Sequence, residues 1–165
     1  VLVGVEHNGR TKDEVQFIYD NNKYFVVVSK NNKNYESSNT IDKNLTTLYF
    51  NAIHCDFTLE QYVVFPNTIN NVIIGENVEK IPNNFLNHSK ITNVTIPNSV
   101  DTIEYWAFGN CSLLTDVTLG SDLVSLGYNA FGSDSNLIRL NYNATNCTSF
   151  NQNAFENSTR ISTAS

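Results

Sequence analysis

The feature that most constrains this chain is a pattern that recurs along its length. Ile91, Val94, Ile96, Val100 and Ile103 are followed by the pair Ala107-Phe108. The same order returns in Leu114, Val117, Leu119, Leu123 and Leu126, followed by Ala130-Phe131. It is preceded by Ile69, Val72, Ile74, Val78 and Ile81, followed by Phe85. Phe85, Phe108, Phe131 and Phe155 lie 23, 23 and 24 residues apart. The residues that open each copy, Leu45, Ile69, Ile91, Leu114, Leu137 and Ile161, lie 24, 22, 23, 23 and 24 apart. Self-similarity at so constant a period is the signature of a solenoid, in which each copy is one coil.

The internal pattern of a copy gives the path of the coil. Val94 and Ile96 alternate with Thr95, so one face of a short strand is apolar and the other polar. Pro97, replaced by Gly75 and Gly120 in the neighbouring copies, then bends the chain. Val100 and Ile103 re-enter the core from the opposite wall, and Ala107-Phe108 fills the end of the coil. The expected fold is a single solenoid with short parallel strands on two walls and few, short helical turns. A coil of about 23 residues buries too little to outweigh its own ordering, so each depends on its neighbours and the ends need caps. The segments 45–55 and 137–147 match position by position as a variant pair. The array therefore reads as five coils over residues 45–160, with a sixth opening at Ile161.

The consensus L-x-x-V-x-I-P-x-S-V-x-x-I-x-x-x-A-F-x-x-C, met almost in full by residues 91–113, resembles the BspA-like class of leucine-rich repeats. The resemblance covers residues 45–165. Departures are local: Phe85 lacks the preceding Ala, His88 and Asp134 stand at the expected corner cysteine, and the corner after Phe65 is two residues shorter. The similarity implies a leucine-rich-repeat solenoid on a cell-surface or secreted protein that adheres to host, matrix or cell-surface proteins.

Residues 1–44 fall outside the repeat. The β-branched and aromatic runs 14–20 and 24–30 flank Asn21-Asn22-Lys23, which signals a hairpin. Laid on the first coil, it would cover an otherwise open strand edge. The segment is expected to be an N-terminal β-hairpin cap, or else the end of a preceding β domain.

Residues 1–44 balance six basic and six acidic side chains, so the net charge of −6 falls on the repeats. An acidic array offers no cationic track for phosphates, which argues against nucleic acid. No apolar run reaches the roughly 20 residues of a membrane span. The chain begins at Val1 without methionine, so an export signal is expected to lie outside it. Roughly one residue in six is asparagine, suited to a chain with many corners.

The residue types that carry chemistry do not assemble. Cys55, Cys111 and Cys147 form an odd set without metal-ligand spacing and read as buried thiols at corners. His7, His54 and His88 share no motif, and no serine sits in a nucleophile turn. No enzyme, cofactor or metal site is expected. The 132–136 stretch, Gly-Ser-Asp-Ser-Asn, is oxygen-rich but lacks the alternating acidic ligands of a calcium loop and reads as a solvated corner. Asn44, Asn87, Asn93, Asn110, Asn143, Asn146 and Asn157 lie in glycosylation sequons, which this composition also generates by repetition.

The outward strand positions are the candidate site. Tyr49, Ile73, Thr95, Thr118 and Asn141 form one row, with Thr47, Asn71, Asn93, Asp116 and Arg139 beside it. Such a rigid, variable face suits binding of a protein partner, whereas short polar residues there also merely solvate a sheet. Tyr49 and Ile73 tilt the reading toward contact. The leading expectation is a non-enzymatic binding or adhesion module, the alternative a structural spacer that presents another domain.

Overall fold

A computed structural model of the protein describes residues 2–4, 15–20, 23–28, 47–50 and 68–164. At the N-terminal end, β1 (Leu2–Gly4), β2 (Val15–Asp20) and β3 (Lys23–Val28) pair antiparallel. β3 then runs parallel to β4 (Thr47–Phe50), which pairs in parallel with β5 (Asn71–Ile74). The order β1-β2-β3-β4-β5 makes one sheet, and the expected hairpin over residues 14–30 corresponds to β2 and β3.

Beyond β5 the chain winds as a parallel solenoid. Each coil adds a two-residue strand to one wall: β6 (Lys80–Ile81), β8 (Thr102–Ile103), β10 (Ser125–Leu126) and β12 (Ser149–Phe150). Each adds a strand of two to four residues to the other wall: β7 (Asn93–Thr95), β9 (Asp116–Leu119), β11 (Arg139–Tyr142) and β13 (Thr163–Ala164). All pairings within these two sheets are parallel. Partners lie 24 residues apart at Thr47–Asn71, 22 at Lys80–Thr102 and 23 at Asn93–Asp116. The spacings read from the sequence are thus the registers of the sheets.

The core consists of the recurring apolar positions stacked coil on coil. Ile69, Ile91, Leu114 and Leu137 are fully buried in one column, and Val78, Val100 and Leu123 in another. Gly120 marks how tightly the coils stack, since a Cβ there would lie 2.4 Å from the Pro97 carbonyl oxygen of the coil below. The phenylalanines form the expected single column. Phe108 and Phe131 stack with ring centroids 5.2 Å apart, and Phe131 and Phe155 at 5.4 Å. Phe50 of β4 extends the column, 4.5 Å from Phe85.

No helix occurs among the described residues. The short helical turns expected are hydrogen-bonded turns at 83–88, 105–110, 128–133 and 152–157. The reason lies in where their N–H groups go. Trp106 N donates to Tyr128 O at 3.1 Å, Phe108 N to Ala130 O at 2.8 Å and Asn110 N to Gly132 O at 2.8 Å. Donors pledged to the next coil cannot close i→i−4 bonds within their own. Left-handed backbone recurs at two corner positions, the first in three corners (Asn84, Trp106 and Asn129) and the second in all four (His88, Asn110, Ser133 and Asn157). Asparagine tolerates that conformation better than most side chains, which explains part of its abundance.

The coil opening at Ile69 corrects two alignments made from the sequence. Leu86 N donates to Ala107 O just as Phe108 N donates to Ala130 O, so Leu86 is the counterpart of Phe108, and Phe85 that of Ala107. Phe85 enters the aromatic column from this shifted position and meets Phe108 edge-on, at 88°. Likewise the residue at the position of Cys111 is Ser89, whose Oγ lies 3.3 Å from the Cys111 thiol. His88 is exposed and matches Asn110 instead. From Ile69 to Ser89 every position of this coil lies 22 residues before its counterpart, whereas counting back 23 from Phe108 lands on Phe85.

Deleting a ring from the middle of the column leaves a cavity, because neighbouring coils are held by their own ladders. Phe131→Ala is expected to cost about 3–5 kcal/mol in urea unfolding. Phe155→Ala, at a half-buried position, should cost clearly less.

Candidate binding face

The ten positions expected to face outward fall on five strands, in two rows. Thr47 pairs with Asn71, and Asn93 with Asp116 and then Arg139. In the second row Tyr49 pairs with Ile73, and Thr95 with Thr118 and then Asn141. The rows divide between sheets, since β5 ends one and β7 begins another. Asn71, Ile73, Asn93, Thr95, Arg139 and Asn141 are exposed, while Thr47, Asp116 and Thr118 are half-buried. Ile73 is the apolar member, 42% exposed. The side chain of Tyr49 lies outside the described residues.

Parallel register brings side chains from successive coils into contact along each row. The Arg139 guanidinium donates from Nε to Asp116 Oδ1 and forms an ion pair with it. Asn141 Nδ2 donates to Thr118 Oγ1 at 3.2 Å. The Arg139 bond, followed by that from Thr115, holds the Asp116 carboxyl below its ordinary value of 3.8. That stabilisation is present above the ordinary value and is lost as the pH falls through the folded one.

A second exposed cluster escaped the sequence reading. Tyr105 and Tyr128 stack at 5.7 Å with their planes 14° apart, although they are 45% and 38% exposed. Trp106 meets Tyr105 edge-on at 6.0 Å, and its ring lies where a Cβ on Gly109 would sit. Tyr128 donates to Glu156 Oε2 at 3.1 Å, which raises the phenol above its ordinary value. The signal was available: both tyrosines stand two residues before an Ala-Phe pair, 23 residues apart.

The other chemical candidates have structural places. Cys111 is fully buried, and burial, then the nearby Asp134, pushes its thiol up to about 12. Cys147 is half-buried and also free, and Cys55 lies outside the described residues. Among the described residues, no group of three or more His, Cys, Asp or Glu could hold a metal ion. The solvated corner expected at residues 132–136 is corrected: Gly132 is buried, and Asp134 is fully buried rather than hydrated. Asn136 of the same turn donates to Ser112 O at 2.7 Å.

A family model described as the BspA-type leucine-rich repeat region (six copies) matches residues 58–162, more than half of the chain. The chain belongs to this family. No curated protein and no solved structure matches it. BspA-type leucine-rich repeats suggest a protein-interaction module on a scaffold that is typically non-catalytic, and they typically occur on surface or secreted proteins. No helix among the described residues is long and apolar enough to cross a membrane.

Arg139→Ala is expected to return the Asp116 carboxyl toward 3.8, read by NMR titration of its carboxyl carbon. The cost in stability should stay under about 1 kcal/mol, because the pair faces solvent.

Proposed function

We propose that this BspA-type array is a non-enzymatic adhesion module, at the cell surface or secreted, which holds a host, matrix or cell-surface protein across the outward face of its strands. The observation that carries this reading is the geometry of the face. Two rows of short polar and apolar side chains, one coil apart, stand on a backbone that parallel pairing makes rigid. A rigid face loses little entropy on binding, so many weak contacts can add up without a deep pocket. Ile73 supplies an apolar anchor, and Arg139 and Asp116 a charged pair that sets orientation. In the same reading Tyr49 extends the row into β4, and residues 1–44 cap the first coil.

A second reading, the structural spacer, draws on one specific observation. Arg139 already pairs with Asp116 and Asn141 with Thr118, so part of the face satisfies itself.

Binding to immobilised matrix proteins separates the two. Replacing Tyr49, Ile73 and Arg139 together by Ala should weaken capture at least about tenfold, equivalent to about 1.4 kcal/mol. Unchanged capture by the triple variant would move the site elsewhere. If the unaltered array captures nothing, the spacer reading stands.

A further inference from the structure

We propose that Asp134 is a proton-operated latch within the column of corner side chains, so that the stacking of coils tightens as the pH falls and loosens as it rises. The column contains Ser89, Cys111, Asp134 and Ser158, one from each coil. Where the pattern is complete, a corner side chain both accepts and donates. Ser158 Oγ accepts from Asp134 N at 3.1 Å and donates to Phe131 O at 2.8 Å. Cys111 contacts Ser89 Oγ and donates its thiol hydrogen to Leu86 O at 3.3 Å. In both cases the carbonyl acceptor belongs to the residue three positions before the corner in the coil below.

Asp134 performs only the first half. Its Oδ1 accepts from Cys111 N at 2.7 Å, whereas Oδ2 is enclosed with no hydrogen-bond partner. By the repeat, the acceptor opposite Oδ2 is the carbonyl of Phe108. An ionised carboxylate has no hydrogen to offer a carbonyl, but a protonated one does. A proton on Oδ2 therefore completes the pattern set by its neighbours and removes an unpaired charge from a site with no solvent exposure.

The surroundings agree. From the coil below, the titratable group facing Asp134 is Cys111, whose own thiol is held neutral by burial. From the coil above it meets Ser158, which does not ionise, and Asp134 forms no ion pair among the described residues. Burial raises the carboxyl from 3.8 to about 8, against the smaller opposing effect of the Cys111 N–H. A folded chain that keeps a proton the unfolded chain releases loses stability as the pH rises from about 4 to about 8. Asp116, held low, has the opposite sense.

Asp134→Asn tests the latch, because its amide supplies a permanent acceptor and a permanent donor in the same shape. Urea unfolding of the full chain is followed between about pH 5 and pH 8. Relative to Asp134→Asn, the unfolding constant of the unaltered chain should rise by up to about tenfold per pH unit. Parallel curves for the two proteins over that range would overturn the proposal. Infrared spectra of the unaltered chain provide a readout that does not depend on a variant folding. A protonated-carboxyl band should persist near pH 6, where exposed carboxylates are ionised, and disappear above the folded value. Its absence near pH 6 would equally overturn the latch.

Discussion

Hydrogen bonding between coils, rather than within them, governs this molecule. Both walls of the solenoid are parallel ladders, and the corner turns carry a third set of N–H···O bonds from coil to coil. A corner that sends every second backbone donor to the next coil cannot close the continuous i→i−4 bonds of a helix. It also has no stable existence alone, since a parallel strand of two residues such as β8 has meaning only between β6 and β10. The apolar columns follow from the same condition. Once the ladders set the axial spacing, side chains at one repeat position meet their own counterparts, and the phenylalanines stack because each lies over the next.

That arrangement makes the corners the most demanding places in the fold. Left-handed backbone recurs at the corners, most often at asparagine, but Trp106 adopts it too, with its ring over Gly109. Just beyond, the side chains of Ser89, Cys111, Asp134 and Ser158 link the corners of successive coils. A thiol or hydroxyl is well suited there, being a small neutral group that can both accept and donate. A carboxyl fits in size but brings a charge that the site cannot hydrate. Asp134 thus stands out in a column of otherwise uncharged residues, in the middle of the array.

Function in such a scaffold belongs to what the ladders leave facing outward. The strand face presents small, mostly polar groups in two rows, and the corner presents the Tyr105–Tyr128 stack with Trp106 beside it. Neither forms a catalytic constellation, and membership of the BspA-type family agrees with a scaffold that works by surface contact.

Much of this was legible in the residues themselves. A period of 22–24 with apolar side chains at fixed offsets admits few folds, and the strand registers reproduce those spacings directly. The outward positions were legible for the same reason, because strand alternation alone decides which side chains leave the core. Two things were not. Placing Phe85 and His88 required knowing which N–H meets which carbonyl, since a one-residue deletion within a repeat can be assigned to several points of the string. The character of Asp134 required its neighbours above and below: in the string Gly-Ser-Asp-Ser-Asn it has the look of a hydrated turn, and only the stacking of coils takes it out of water. The sequence by itself determined the winding, because hydrophobic periodicity is a local property of the chain. The tertiary structure alone decided which polar groups the winding would bury, because burial depends on residues a full coil away.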